Sequence, residues 1–191
     1  PDSFFDGGHY DEKENALKQL RVLLSQGVDI IDAGAESTRP NATPISADEE
    51  LKRLEDILPL ILLEVQKHNQ KNQSQIEVSL DSRHAKVVAW ALELGIDIIN
   101  DVSGFEDWEM VELAVKSGKK IVVMHNLGVP ANKQKIIDEN LDVVEVLIDW
   151  IQNKLTQLLK LGVKKEQIIF DIGVGFGKNA QQSINLIKEI E

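Results

Sequence analysis

Short apolar runs rich in Ile and Val recur along the chain at 28–32, 75–81, 96–100, 120–124 and 167–170. Each stops on or beside a polar side chain: Asp32 with Glu36, Asp81, Asn100 with Asp101, His125 with Asn126, and Asp171. Between them lie stretches of helical period, at 11–26, 47–56 with 61–67, 83–94, 108–116, 138–161 and 179–191. The punctuation agrees with that reading. Gly27, Gly95, Gly118 and Gly162 stand where helices close on a left-handed residue, Ser46 with Glu49 forms a capping box, Ser82 is placed to cap, and Pro59 interrupts or restarts its helix. The polar stretch 70–75 reads as a surface loop. Continuously apolar strands alternating with helices indicate a parallel sheet covered on both faces.

Two architectures satisfy that alternation, an open doubly wound sheet and a (β/α)8 barrel. A doubly wound sheet gathers its ligand groups at one switch point, whereas a barrel gathers them from the ends of many strands. Polar residues close every visible run, so the expectation is α/β of the TIM (β/α)8 type. Only five strands are visible in 191 residues, where such a barrel needs about 250. Residues 1–191 are therefore expected to be one domain, a fragment of a longer chain lacking the first strand and the last two.

Composition narrows the partners. A net charge of -11 argues against nucleic acid, which is bound through clustered lysine and arginine. The absence of cysteine excludes disulfides and thiolate metal sites. No apolar run approaches the roughly 20 residues of a membrane span and no signal peptide is visible, so a cytoplasmic protein is expected. An anionic small ligand would need local cations, and Arg39 is the first candidate. It lies in the loop Asp32-Ala33-Gly34-Ala35-Glu36-Ser37-Thr38-Arg39-Pro40, where its fork of donors suits phosphate or carboxylate and Pro40 stiffens the backbone beside it.

Asp81, Asn100 and Asp171 at three strand ends could offer acceptors and an amide to one flat heterocycle, because a carboxylate takes two parallel hydrogen bonds from adjacent ring donors. The turn Gly173-Val174-Gly175-Phe176-Gly177-Lys178 fits neither nucleotide motif: the dinucleotide fingerprint needs glycine where Lys178 stands, and a P-loop needs Lys-Ser or Lys-Thr. Its glycines would let backbone approach a planar ligand, with Phe176 lining the edge. His9, His68, His84 and His125 lack metal-ligand spacing; His125 reads equally as a structural or a site residue. Ser37 and Ser103 have no recognisable base, which argues against acyl transfer.

PDSFFDGG at 1–8, ESTRP at 36–40, SLDS at 79–82, INDVSG at 99–104, MHN at 124–126 and DIGVGFGK at 171–178 together resemble dihydropteroate synthase, in order and through the whole chain. The resemblance implies a (β/α)8 barrel and a transferase joining p-aminobenzoate to 6-hydroxymethyl-7,8-dihydropterin diphosphate, the reaction that sulfonamides block. It places Asp81, Asn100, Val102, Met124, Asp171 and Phe176 around the pterin, Phe4 and Pro40 at the aminobenzoate, and Asp6, Thr38 and Arg39 on two loops that order over the substrates. Asp81, Asp171 and Arg39 are the catalytic candidates by the same resemblance. It further implies magnesium bound with the diphosphate, a homodimer, and possible fusion to another folate-pathway domain. The family's magnesium-binding Asn would precede Pro1, and its later lysine, serine and Arg-x-His would follow Glu191, so no metal ligand is assigned here and the isolated chain is expected to be nearly inactive. Ile172 stands where the family has Pro. A pterin-binding methyltransferase serving a corrinoid, or a non-catalytic pterin-binding remnant, are the other readings; PDSFFDGG and ESTRP speak against the former.

Overall fold

The computed structural model describes residues 13–39, 42–132 and 134–190. The roles expected of Phe4, Asp6 and Pro40 fall outside the described residues. The chain forms two compact units: residues up to Ser37 with Pro44–Asn100, and Thr38–Thr43 with the residues from Asp101 onward.

The first unit opens with helix α1, Lys13–Ser25, which buries Leu20 and Leu24. Strand β1, Ile30–Gly34, helices α2, Ala47–Leu54, and α3, Leu58–Asn72, strand β2, Glu77–Asp81, and helix α4, Ala85–Leu94, follow. Strand β3, Ile98–Asp101, carries the chain to the boundary between units. β1 pairs with β2, and β2 with β3, all parallel. Val78, Ser79 and Leu80 are buried along β2, as expected of a strand covered on both faces.

Several boundaries differ from the sequence reading, β2 and β3 each beginning two residues later than expected. β1 lies two residues later than 28–32, because the Asp29 carbonyl accepts from the Glu77 amide and the ladder itself begins at Ile30 opposite Glu77. It runs on to Gly34, where a Cβ would stand 3.0 Å from the Asp81 carbonyl oxygen. α3 begins at Leu58, with Pro59 in the first turn, where a missing N–H breaks no helical bond. That helix also absorbs residues 70–72 of the loop expected at 70–75 and closes at Gln73, φ 55°. Asn69 ties its end to the coming strand, accepting from the Ile76 amide and donating to the Ile76 carbonyl. Ser82 does not cap α4. The N-cap is His84; the Ser82 hydroxyl accepts from the His84 amide and donates to Glu50.

In the second unit, helix α5, Trp108–Ser117, is capped by Asp107 and strand β4, Lys120–Met124, falls where expected. Helix α6, Val143–Lys160, starts five residues later than expected, because the Asp142 carboxylate accepts from the Val144 amide and sets the N-cap there. Strand β5, Ile168–Asp171, pairs parallel with β4, and Asn179 with Gln182 caps helix α7, Ala180–Lys188, in a reciprocal box. Ile137, Val143, Leu147 and Leu186 pack together, with Ile172 and Trp150 against them. Among the described residues no helix is long and apolar enough to cross a membrane.

Candidate active site

In the first unit the parallel register puts Gly34 opposite Asp81 and Asp81 opposite Asn100, so three successive strand ends lie side by side. Asn100 donates through Nδ2 to both Asp32 carboxylate oxygens, at 3.5 and 3.3 Å. Packing of the surrounding protein raises the Asp32 pKa, opposed by hydrogen bonds from Ser79 and Asn100. The absence of a side chain at Gly34 leaves its place to the Asp81 side chain, whose Oδ2 lies 3.4 Å from where a Cβ would sit. The result is a carboxylate and an amide, Asp81 and Asn100, side by side at the carboxyl ends of parallel strands, where α/β folds bind ligands, with the Asp32 carboxylate two residues before the end of β1, opposite Ser79.

Behind that row lies a polar network the sequence reading missed. Arg83 grips Glu36 with both arms of its guanidinium, at 2.7 and 2.8 Å, and Glu36 also accepts from the Ile45 amide. Burial alone would raise the Glu36 pKa, but Arg83, the Ile45 amide and His84 outweigh it and hold the carboxyl below its ordinary value. The Glu36–Ile45 bond joins residues nine positions apart in the chain. Deeper still, Glu50 is fully buried and accepts from the Ser82 hydroxyl at 2.8 Å. Its pKa is pushed up to about 7, chiefly by burial. The signal for Glu50 was available: it sits four residues before the buried Leu54, on the inward face of α2.

In the second unit Asp171 ends β5 opposite Met124. Its carboxylate accepts from the Gly173 amide at 2.7 Å and its carbonyl from the His125 amide at 2.9 Å. Val102, Met124 and Phe176 do come together, with Ala131 and Val129. Phe176 is buried rather than open along a ligand's edge, because the turn folds its ring into that cluster. Asp101 is also buried and receives the Ser103 amide and hydroxyl and the Phe105 amide, so it braces the loop after β3. Thr38 accepts through its carbonyl from the Ala131 amide, and Arg39 through its own from Ala42.

His125 and Lys178 form the other buried polar centre of this unit. Lys178 Nζ donates to His125 Nδ1 at 2.8 Å and to the carbonyls of Gly173, 3.1 Å, and Phe176, 2.9 Å. The His125 ring meets Trp150 edge to face at 5.0 Å. Burial, then the neighbouring ammonium, lowers the His125 pKa to about 4, so the imidazole is neutral and, accepting at Nδ1, carries its proton on Nε2. The structural reading of His125 is the one that fits. Among the described residues no three acidic or imidazole side chains gather to hold a metal ion.

Parallel strands alternating with helices, with acid and amide side chains at the strand ends, define an α/β protein of the barrel class. The family model of pterin binding enzymes matches residues 1–191, and the chain belongs to that family. It is 35% identical over 191 residues to the dihydropteroate synthase of Haemophilus influenzae, covering 100% of this chain and 66% of that one. It is 38% identical over 187 residues to a probable bifunctional folylpolyglutamate synthase/dihydropteroate synthase of Haloferax volcanii, covering 98% of this chain and 21% of that one. Among solved structures, the dihydropteroate synthase of Anaplasma phagocytophilum with bound 6-hydroxymethylpterin-monophosphate matches with a TM-score of 0.86 and 36% identity, covering 94% of this chain and 68% of that one. The chain thus spans about two thirds or less of these relatives, and its fold is that of part of a TIM (β/α)8 barrel.

Proposed function

We propose that this chain is the pterin-binding portion of a dihydropteroate synthase, a transferase of folate biosynthesis. The reaction condenses 6-hydroxymethyl-7,8-dihydropterin diphosphate with p-aminobenzoate to give 7,8-dihydropteroate and diphosphate. The observation that carries the reading is Asp81 beside Asn100 at adjacent strand ends, with Asn100 hydrogen-bonded to Asp32 two residues before the end of β1, in a member of the pterin-binding family. A dihydropterin presents ring N–H and exocyclic amine donors along one edge, and carboxylate and amide acceptors are the chemistry that reads them.

In this reading Asp81 and Asn100 recognise the pterin, as does Asp171, while Val102, Met124 and Phe176 supply apolar packing. The family resemblance assigns Arg39 and Thr38, with Asp6, to the substrate loops, and Phe4 and Pro40 to aminobenzoate. Arg39 would offset diphosphate charge. Cleavage of the C–O bond sends its electron pair to diphosphate and leaves positive charge on the pterin methylene, which Asp81 and Asp171 stabilise electrostatically. The aminobenzoate nitrogen then attacks this electrophile and afterwards loses its proton to solvent or diphosphate. A strong general base is unnecessary, in keeping with a neutral, hydrogen-bonded His125. Magnesium would travel with the diphosphate; the described residues do not form a cage for it, and no step above depends on one. The reading extends to sulfonamide sensitivity, a cytoplasmic homodimer and a possible fused folate-pathway domain.

The test is aminobenzoate-dependent diphosphate release by the full-length gene product. Turnover is expected, with Asp171→Asn and Asp81→Asn each lowering kcat/KM roughly a hundredfold. Diphosphate release that ignores aminobenzoate, or aspartate variants with unaltered turnover, would overturn the reading.

A further inference from the structure

Lys178 is 6% exposed, yet among the described residues no carboxylate oxygen hydrogen-bonds its ammonium. Burying an ammonium is costly unless its donors are all taken, and here they are. The acceptors come from two places: the carbonyls of Gly173 and Phe176 belong to the turn after β5, and the ring of His125 belongs to the end of β4. The His125 carbonyl stands at 3.5 Å, a marginal fourth contact.

The turn that Lys178 closes carries two of the groups that the pterin-binding reading assigns to the ligand, Asp171 and Phe176. Asp171 opens it, with its carboxylate fixed by the Gly173 amide. Phe176 lies within it, packed on Met124 and Val102. His125 is itself oriented, by the Trp150 indole that touches its ring and by the Asp171 carbonyl that receives its amide. The far end of the tie therefore has two anchoring contacts of its own. An ammonium here does what a neutral side chain of the same length cannot, converging three backbone and ring acceptors on one point.

We propose that Lys178 is a positioning residue for pterin recognition, holding Asp171 and Phe176 in place by tying the turn after β5 to His125. This rests on the pterin-binding reading above and adds to it a residue that touches no substrate. Removing the ammonium leaves buried carbonyls and an imidazole nitrogen without a donor, so the turn must rearrange or hydrate.

The experiment compares the full-length wild type with Lys178→Met and Lys178→Arg, measuring KM separately for the pterin diphosphate and for p-aminobenzoate. Lys178→Met is expected to raise the pterin KM roughly tenfold and to leave the aminobenzoate KM within about twofold, with Lys178→Arg recovering part of the loss. Equal rises in both constants, or no rise, would overturn the proposal. Should Lys178→Met not fold, the Lys178 Nζ resonance in the 15N-labelled wild type, assigned by its loss in Lys178→Arg, decides. It should shift on adding pterin and not on adding aminobenzoate; a resonance indifferent to pterin overturns the proposal. A wild type that neither binds pterin nor releases diphosphate would instead defeat the underlying reading, so the two failures are distinguishable.

Discussion

Replacing Glu50 with Gln should change how the stability of the first unit depends on pH. Glu50 is 0% exposed, and only one of its oxygens, Oε2, has a hydrogen-bond donor, the Ser82 hydroxyl; Oε1 has none among the described residues. Burial pushes its pKa from 4.5 to about 7, helped by the charge of Glu36 and resisted by Ser82, Arg83 and Arg53. The gap of about 2.5 pH units corresponds to about 3 kcal/mol. The folded-state value lies above the unfolded one, so this stability is fully present below pH 4.5 and is lost as pH rises through 7. Gln cannot ionise, and it can still accept from Ser82. It places an amide donor without a partner where Oε1 was, at a cost of about 1 kcal/mol. Glu50→Gln should therefore be about 1 kcal/mol less stable than wild type at pH 4.5 and about 2 kcal/mol more stable at pH 8.5, the two curves crossing near pH 5. Urea unfolding at half-unit pH steps measures this, with amide exchange of β2 as the local readout. At an m-value of about 2 kcal/mol/M the swing in midpoint difference is about 1.5 M. A difference between the two proteins that stays constant across the pH range would refute the assignment of Glu50 as a neutral buried acid.

Arg83→Met leaves the Glu36 carboxylate, 5% exposed, without its guanidinium and should cost about 3 kcal/mol. Wild type loses the Glu36 contribution as pH falls through its depressed pKa; in the variant the carboxyl should titrate at higher pH, which 13C NMR of that side chain would record. Gly173→Ala puts a Cβ onto the His125 carbonyl oxygen at a residue with φ 63°. Strain of about 1 to 2 kcal/mol from the left-handed backbone alone is expected, and the clash adds to it. Weakened pterin binding by calorimetry should accompany the lower urea midpoint, and wild-type affinity in this variant would contradict the placement of the Asp171 turn.

The parts legible in the sequence are those dictated by period and by local chemistry. β4 was readable because Ile121–Met124 is an uninterrupted apolar run between Lys120 and His125, with Gly118 just before it. α5 was readable because Gly118 ends it, and its φ of 64° is the conformation that the residue type announces. Boundaries went astray where a tertiary partner decides them. β1 shifted because pairing with Glu77, not the start of hydrophobicity at Val28, begins the ladder. α6 began late because Asp142, rather than Asp138, took the capping role, while Asp138 turned its carboxylate to the Asn140 amide. In the first unit Asp81 and Asn100 could be expected at strand ends because each closes an apolar run, and parallel pairing brings them into register. Nothing in a sequence period reveals that Glu50 meets Ser82 across 32 positions or that Lys178 meets His125 across 53. Charged residues at such positions read as surface until something buried is found to receive them. The same applies to the GFGK turn, whose lysine argued only against nucleotide motifs in one dimension and becomes, once folded, the donor on which three acceptors converge. A polar side chain at an inward position is thus the feature to question in a chain of this kind, since folding tolerates it only with partners that sequence spacing alone does not supply.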